Sequence, residues 1–411
     1  MSVLSNSYDV VVVGGGPAGT SAAIHLALAG ARVLLAEQKK FPRPKLCGEF
    51  ISPECLDHFK RLGVAHSMML AGGAEISETF FFARRGASVS VPSEWFGTGR
   101  AGALGLSRAE MDERLLRRAR EVGVVVLEEA HATALLMTEG RVCGVRLKVS
   151  GETREYSSLV TIDATGRARS LARHIERDDR TRGKRAPLVA FKVHLDGARS
   201  DPLHCEIYSY RGGYGGLNHI EGGRSNLCFI VSARDACRLG GDAKKAMREI
   251  VMTNGRAAYT LERARPASEW LGVALESFGR YNLVPADGLL AVGDAASFID
   301  PFTGSGMLMA LESGELAART VARHLDRRGC GKGYQFELLG RDYRALYAER
   351  FNTRLRVCAL LRRTAFVPGL AEAAILAFGA SDHVRRRLAR ATRRPAHAGL
   401  QGRGSAKNLK V

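Results

Sequence analysis

The sequence predicts an α/β fold: a Rossmann-like dinucleotide-binding domain, an inserted and mostly antiparallel sheet, and helices toward the C-terminus. Three observations predict it. The chain begins with a buried strand, a glycine-rich turn and a helix; its middle third alternates between apolar and polar residues; and its pattern is helical beyond residue 334. At 411 residues the chain exceeds what one hydrophobic core usually holds, so we expect two or three structural units.

The first 37 residues have the pattern of one βαβ unit. Residues 8–13 read YDVVVV, a β-branched run typical of a strand buried on both faces of a parallel sheet. An alanine-rich helix is predicted over 17–29, where Gly30 ends it, and a second strand over 31–37. This order of elements is the one that builds parallel sheets.

The turn inside that unit has the G-x-G-x-x-G spacing. The first glycine allows the tight turn, the second lets the backbone approach a pyrophosphate, and the third lets the helix pack closely, with its N-terminus facing the phosphate. An acidic residue ends the second strand, where a carboxylate can accept hydrogen bonds from ribose hydroxyls. The residues predicted to bind the dinucleotide here are Gly14, Gly16, Pro17, Ala18, Gly19, Glu37 and Gln38.

The middle of the chain divides into strands and helices that suggest domain boundaries. Ser107 and Glu110 form a capping box for a helix over 107–122, and a further helix is predicted over 242–253. We expect a discontinuous nucleotide-binding domain and an inserted, substrate-binding sheet between its parts. The expected boundaries are 1–75, 100–175 and 280–330 for the first, 76–99 and 176–279 for the second, 331–395 for a helical region and 396–411 for a flexible basic tail.

A second strand–turn–helix motif lies near residue 300. A short strand over 289–292 ends at Gly293 and Asp294, and an aspartate at that position can accept a hydrogen bond from a sugar-like hydroxyl. Gly304 and Gly306 then precede a long helix over 306–325, whose exposed N–H groups would stabilise partial negative charge on a ligand.

Three motifs, in order along the chain, resemble the flavoprotein superfamily that includes para-hydroxybenzoate hydroxylase, geranylgeranyl reductase and flavin-dependent halogenases. They are GGGPAG with its acidic residue, DATGR over 163–167, and the motif near residue 300. The resemblance implies a glutathione-reductase-type fold, FAD as cofactor and oxidoreductase activity. It implies that Asp294 contacts the ribityl chain, that the backbone of 306–308 cradles the flavin, and that Arg108 reaches the ribityl or phosphate region. The cofactor-binding residues that it adds are Arg108, Asp163, Gly166, Gly293, Asp294, Pro301, Gly304, Gly306, Met307 and Leu308.

The loop over 41–49 places the resemblance nearest the geranylgeranyl reductase-like branch, because it contains P-x-K-x-C-G. In that branch the segment lies beside the flavin. Arg43 and Lys45 would then pair with FAD phosphates or attract a nicotinamide cofactor. Cys47 would face the flavin or the substrate as a cofactor-binding and catalytic residue, and a small buried thiol with no chemical role is the alternative.

Other motifs of the individual branches are missing. Tyr214 matches the tyrosine of the reductases' Tyr-x-Trp-x-Phe-Pro motif, but the Trp, Phe and Pro are absent. The halogenase Trp-x-Trp-x-Ile-Pro motif is absent as well, which disfavours halogenation. Since glycines adjacent to Tyr214 leave it room, it is the second residue that we predict to be catalytic.

Two enzymatic functions and one non-enzymatic function follow. The leading hypothesis is an NAD(P)H-using monooxygenase that hydroxylates a hydrophobic aromatic or polyketide-like substrate. The alternative is a geranylgeranyl reductase-like enzyme that reduces isoprenoid double bonds, and a non-catalytic FAD-binding scaffold is third. The sequence has no second G-x-G-x-x-G motif, so NAD(P)H is expected to dock transiently or electrons to come from a partner.

The formal charge of +19 points to anionic partners. Residues 383–411 contain seven Arg, two Lys and no acidic residue, so carrier-protein contact or peripheral membrane contact through this end is an open alternative to a solvated helix end. No nucleic-acid motif accompanies the charge, so we expect no nucleic-acid partner. Eight scattered cysteines without metal-site spacing, and no signal peptide or long apolar run, predict a cytoplasmic protein without a metal site.

Overall fold

The computed structural model describes residues 6–96, 102–176, 187–275, 278–326, 335–365 and 381–391. The expected tail over 396–411 therefore lies outside the described residues. The helices are α1 (Pro17–Leu28), α2 (Glu54–Leu62), α3 (Ala65–Met69), α4 (Arg108–Glu121), α5 (Ala172–Ile175), α6 (Ala233–Arg238), α7 (Ala243–Glu249), α8 (Gly255–Leu261), α9 (Gly306–Asp326), α10 (Phe336–Ala365) and α11 (Asp382–Ala391).

The strands form two large sheets and two small ones. They are, in chain order, β1 (Ser7–Val13), β2 (Val33–Ala36), β3 (Phe50–Ile51), β4 (Ala74–Ile76), β5 (Glu78–Phe82), β6 (Ser88–Pro92), β7 (Ala103–Gly105), β8 (Val125–Leu127), β9 (Ala130–Thr138), β10 (Arg141–Val149), β11 (Glu152–Asp163), β12 (Leu188–Asp196), β13 (His204–Tyr210), β14 (Gly213–His219), β15 (Ser225–Ser232), β16 (Arg265–Pro266), β17 (Leu271–Leu275), β18 (Gly279–Arg280), β19 (Leu289–Ala291) and β20 (Ser297–Phe298).

The first large sheet is the predicted nucleotide-binding sheet. Its order is β8-β2-β1-β11-β10-β9, and β19 pairs in parallel with the end of β11. The neighbours β8, β2, β1 and β11 are also parallel, so the carboxyl ends of these strands meet at one edge. The glycine-rich turn follows β1 and the motif near residue 300 follows β19. The fold therefore brings these two motifs to the same edge of the sheet.

Helices α1 and α9 cover this sheet and pack closely against each other. The Ser21 hydroxyl donates to the Leu311 carbonyl oxygen at 2.9 Å. A Cβ added at Gly314 would lie 2.2 Å from the Ala18 carbonyl oxygen. In the same core, Tyr343 of α10 donates to the carbonyl oxygen of Ala291, at the end of β19. Helix α10 thus fixes the strand that carries the second motif.

The second large sheet is the inserted one, in the order β16-β12-β15-β14-β13-β5-β6, with β17 beside β12. One face, which includes Phe191, Phe229 and Leu217, packs against α6, α7 and α8. The opposite face, here called the free face, is directed toward the nucleotide-binding sheet. Since neighbouring side chains of a strand point to opposite faces, the alternation in sequence places every second residue on that side.

The predicted elements agree with the observed ones within a few residues, with one correction. The helix expected over 242–253 is α7 only as far as Glu249, and a 3-10 turn over Val251–Thr253 follows it. The β-branched pair Ile250 and Val251 lies at the break, where such residues are least suited to a continuous α-helix. The capping box is confirmed, because the Ser107 side chain accepts from the Glu110 N–H.

Candidate FAD site and substrate wall

A single cavity of about 450 Å³ joins the edge of the nucleotide-binding sheet to the free face of the inserted sheet. Its size lies within the range of small-molecule sites. One side is lined by the turn after β1, the segment after β11 and the motif before α9. The other side is lined by β5, β12, β13, β14 and β15.

The glycine-rich turn is shaped by backbone contacts that exclude side chains. Gly14 has φ +113°, and an added Cβ would lie 2.2 Å from the Ala164 carbonyl oxygen. A Cβ at Gly19 would lie 1.9 Å from the Gly14 oxygen, so this glycine serves helix packing. The Glu37 carboxylate accepts from the Gly15 N–H at 2.7 Å and holds the turn. No side chain caps the start of α1, which leaves its first N–H groups available to an anion.

Two arginines lie beside the glycine-rich turn. Arg108 is held by two hydrogen bonds to Asp112, at 2.8 and 2.7 Å, and its Nη2 lies 3.8 Å from the position of a Cβ on Gly16. Arg43 lies 3.5 Å from Glu37 and 3.4 Å from Asp112. Its Nε and Nη1 are buried without a hydrogen-bond partner in the described part of the chain. A bound anion would satisfy such donors.

Lys45 and Asp294 lie further along the cavity. The Lys45 side chain is exposed to the open cavity, but many protein atoms surround it and partly bury it. This burial, with the positive charges of Arg108, Arg43 and Arg167, lowers the pKa of Lys45. Burial raises the pKa of Asp294, although the positive charges of Arg167, Arg108 and Lys45 act in the opposite direction. The Gly293 N–H donates to the Ser313 hydroxyl at 2.9 Å, which fixes the turn that carries Asp294.

The inserted sheet contributes an apolar wall. Ala190, Ile230 and Tyr214 lie opposite one another on β12, β15 and β14, and we call these three residues the apolar row. They share one face because directly paired residues do. Beside them, Ile207 pairs with Phe81, and all five residues line the cavity.

Tyr214 joins this wall to the second motif. Its hydroxyl donates to the Asp300 carboxylate, which also accepts from the Phe302 N–H at 3.0 Å. The Phe302 ring packs edge-on against Tyr214, with centroids 5.1 Å apart. Burial raises the pKa of Tyr214 well above its usual value, and the charge of Asp300 adds to this.

The structure brings most of the predicted site residues together. Those that line the cavity are Gly14, Gly16, Pro17, Ala18, Glu37, Gln38, Arg43, Lys45, Cys47, Arg108, Gly166, Tyr214, Gly293, Asp294, Pro301, Gly304, Gly306 and Met307. Gly19, Asp163 and Leu308 do not line it. The Asp163 carboxylate instead accepts from the backbone N–H of Thr165 and of Ala172, so it shapes the loop. The roles of these residues toward a cofactor stay predictions.

Sequence reasoning missed a set of polar residues at the boundary of the two halves. Glu49 is 1% exposed and contacts Lys192 and His194, both on β12. Asn218 and Asn226 lie on β14 and β15 and are also buried. Asparagine and lysine are uncommon inside strands, so their presence within these strands is the sequence feature that could have identified this set.

Residues 7–330 match the family model described as FAD binding domain, and the chain belongs to this family. It is an FAD-dependent oxidoreductase, and its curated relatives carry the names of reductases. Digeranylgeranylglycerophospholipid reductase 2 of Methanopyrus kandleri is 28% identical over 326 residues, which is 78% of each chain. Menaquinone reductase of Mycobacterium tuberculosis is 28% identical over 382 residues, 90% of this chain and 87% of the relative.

Solved structures support the fold. A geranylgeranyl bacteriochlorophyll reductase-like protein from Thermoplasma acidophilum superimposes with a TM-score of 0.75 at 20% identity, covering 93% of this chain and 95% of the other. The flavin-dependent brominase Bmp2 gives a TM-score of 0.76 at 22% identity, covering 94% of both chains. The Rossmann-like fold with an inserted sheet is thus confirmed. Among the helices of the described ranges, none has the length and apolar character needed to cross a membrane.

The residues present fit FAD. The three consecutive glycines over 14–16, the start of α1 without a side-chain cap from Gly16, and the unsatisfied donors of Arg43 suit a pyrophosphate. At Gly306 an added Cβ would meet nothing within 4 Å, so the backbone at the start of α9 is open to the cavity. Asp294 lines the same cavity, so its carboxylate is available to a hydroxyl of a bound cofactor.

Proposed function

We propose that this protein is an FAD-dependent reductase that saturates carbon–carbon double bonds in the isoprenoid chain of a lipid. The single observation that carries the proposal is the apolar row, which faces the same cavity as the FAD-binding residues. An isoprenoid chain offers only apolar contacts, and this row with Ile207 and Phe81 offers the matching surface.

The names of the relatives favour this alternative over the hydroxylation that led our expectations from the sequence. Two groups of curated relatives are named for reduction, and one of these names includes a geranylgeranyl lipid. Hydroxylation is therefore treated as an outcome of the experiment.

FAD, when reduced, supplies hydride equivalents. Saturation of one double bond needs a hydride on one carbon and a proton on the other. The chain itself positions the alkene against the wall, excludes water with Phe81, Phe302 and Ile230, and holds a proton on the Tyr214 oxygen. We propose Tyr214, and Cys47 on the facing loop, as the candidates for protonating the substrate.

The reductant is proposed to be NADH or NADPH, which would dock transiently. Presentation of the substrate by a carrier protein or a membrane stays a prediction, and residues 392–411 of the basic segment lie outside the described part of the chain.

The test uses the purified FAD-loaded protein, reduced under anaerobic conditions and mixed with geranylgeranyl-bearing lipid. We expect flavin reoxidation together with a product that has gained two hydrogens per double bond, as seen by mass spectrometry. The variant Ile207→Trp, which fills the wall, should abolish reoxidation by the lipid. Leu203→Trp, at an exposed site just before the same strand, should not.

Reoxidation only when O₂ is admitted, with a product that has gained oxygen, would support hydroxylation and end the reductase proposal. A flavin that neither NAD(P)H nor dithionite can reduce would count against any redox function.

A further inference from the structure

The loop of residues 43–49, here the pocket loop, crosses the free face of the inserted sheet without pairing to it as a strand. Side chains of the sheet bind its carbonyl oxygens at alternate residues. Lys192 Nζ donates to the Lys45 oxygen at 3.0 Å, Asn226 Nδ2 to the Cys47 oxygen at 3.2 Å, and Asn218 Nδ2 to the Glu49 oxygen at 3.3 Å. The sheet therefore fixes the backbone of this loop residue by residue.

These side chains form a second row on the same face as the apolar row. His194 lies opposite Asn226 on β15, and Asn226 lies opposite Asn218 on β14. We call His194, Asn226 and Asn218 the polar row. Lys192 precedes His194 by two residues and so shares its face. The free face is polar where the pocket loop covers it. It is apolar at the positions four residues away on the same strands, where the apolar row lies.

A buried charge cluster anchors the end of the pocket loop. The Glu49 carboxylate contacts Lys192 Nζ, lies 2.7 Å from His194 Nε2, and accepts from the Arg108 N–H at 2.8 Å. Hydrogen bonds and charges from Lys192 and His194 lower the pKa of Glu49 although burial acts to raise it. Glu49 has φ +53°, an unfavourable value for a residue with a side chain. Such a conformation persists where the surroundings impose it.

The pocket loop in turn carries groups that line the cavity. Cys47 Sγ accepts from the Glu49 N–H at 3.4 Å and interacts with the Arg108 guanidinium. Lys45, Cys47 and Glu49 all line the cavity with the FAD-binding residues. A shift of the loop would therefore move a thiol and a cation relative to the cofactor.

We infer that Lys192, Asn226 and Asn218 are positioning residues for the flavin environment. They act from the inserted sheet by fixing the pocket loop and hence Cys47 and Lys45. Because the same strands carry the apolar row, a ligand that displaces this face would also change the surroundings of the cofactor. The inference goes beyond the proposed function, since it concerns FAD and holds for any substrate.

The first test is Asn226→Leu. The Asn226 Oδ1 atom is buried without a hydrogen-bond partner in the described ranges, so leucine removes an unsatisfied acceptor along with the donor to Cys47. We expect the melting temperature to change little. We expect the dissociation constant for FAD to rise about tenfold, as for one lost buried hydrogen bond, and the flavin absorption bands to shift. The matched control Asn352→Leu, on α10 outside the cavity, should leave both unchanged.

The second test separates positioning from stability. Lys192→Met alone leaves Glu49 buried with one cation fewer and should lower the melting temperature. The double variant Lys192→Met with Glu49→Gln removes both charges and should recover much of that loss. The control is Lys148→Met, an exposed lysine of β10.

If the cluster only holds the fold, the double variant will also recover the FAD affinity and the flavin spectrum of the unaltered protein, and the inference is then wrong. A positioning role predicts that the spectrum and the flavin midpoint potential stay altered in the double variant. Unchanged FAD affinity and spectrum in Asn226→Leu would overturn the inference as well. Neither result depends on which substrate the protein reduces.

Discussion

The two sides of the cavity are built in different ways. On the FAD side, the nearest neighbours of Gly14, Gly19 and Gly314 are backbone oxygens, and a carbon added at any of these glycines would meet one at 1.9–2.2 Å. On the inserted sheet, the apolar row lines the cavity with side chains, which also pack in a hydrophobic cluster. The FAD side thus has one acceptable shape, whereas the wall can change its side chains without changing its backbone. Substitutions in the apolar row should therefore change the contacts of a substrate and leave the glycine turn intact, whereas substitutions that move the pocket loop should also affect FAD.

The largest expected effect is at the glycine turn. Gly14→Ala combines a positive φ with a carbonyl oxygen at 2.2 Å, so we expect a loss of about 4 kcal/mol or more and little FAD retained on purification. The check is the ratio of flavin to protein absorbance together with thermal unfolding. Gly255→Ala, at a glycine with open space around it, is the control and should keep its FAD. A stable, FAD-loaded Gly14→Ala protein would contradict the comparison.

The helix behind the turn contains a buried ion cluster that makes stability depend on pH. Burial alone would raise the pKa of Glu312, but His58, 3.8 Å away, and the charges of Arg354 and Arg350 lower it to about 2. Because the folded pKa is depressed, this carboxylate stabilises the fold above about pH 4.5, and the stabilisation is lost as the pH falls through about 2. The difference between the two pKa values corresponds to about 3 kcal/mol.

Glu312→Gln should therefore lower the free energy of unfolding at neutral pH by about 3 kcal/mol and flatten its fall in acid. Denaturant unfolding at a series of pH values measures both. Glu152→Gln, at an exposed carboxylate, should follow the unaltered protein. Equal acid dependence in the Glu312 variant and the unaltered protein would exclude this cluster as the cause.

On the wall, Tyr214→Phe keeps the ring and removes the hydrogen bond to Asp300. We expect a loss of about 1–2 kcal/mol in stability because a buried carboxylate loses a donor, while FAD remains bound. If Tyr214 supplies the proton, the rate of flavin reoxidation by the alkene should fall far more than the substrate affinity. An unchanged rate would leave Tyr214 with a packing role only.

The smallest expected effect is at Phe81. Phe81→Ala removes a ring that lies 5.7 Å from Phe302, a pair worth about 1 kcal/mol. We expect a higher KM for the lipid and no change in FAD affinity. The control Phe80→Ala changes the neighbouring side chain, which points to the other face of β5. A large loss of FAD from the Phe81 variant would show that the two sides are not separable.

The sequence could predict the FAD side because its signals are local. The glycine-rich turn and the acidic residue after β2 lie within a few tens of residues of each other. The motif before α9 directly follows a recognisable strand, β19. The contact of Glu49 with Lys192 joins residues 143 apart, and that of Tyr214 with Asp300 joins residues 86 apart. Periodicity assigns such residues to a face of a strand. It does not predict which residue of a distant segment each of them contacts.

Asp163 shows that a residue in a recognised motif need not point its side chain at the ligand. Its place in a known motif made it a predicted cofactor-binding residue, yet its carboxylate is occupied by N–H groups of its own loop. A motif can be informative about a ligand because it shapes the backbone near that ligand. Glu37 is similar, since in this structure it holds the turn through Gly15.

Helix α11 has a consequence for how the protein behaves in concentrated solution. β6 is the last strand of the inserted sheet, and an uncovered edge strand can recruit strands of other molecules. Arg385 of α11 donates to the carbonyl oxygen of Ser90 and lies over the ring of Trp95, so the helix shields that edge. The neighbouring Arg386 and Arg387 remain exposed and add repulsion between copies. The basic helix near the C-terminus thus covers part of an edge at which a strand of another molecule could otherwise pair.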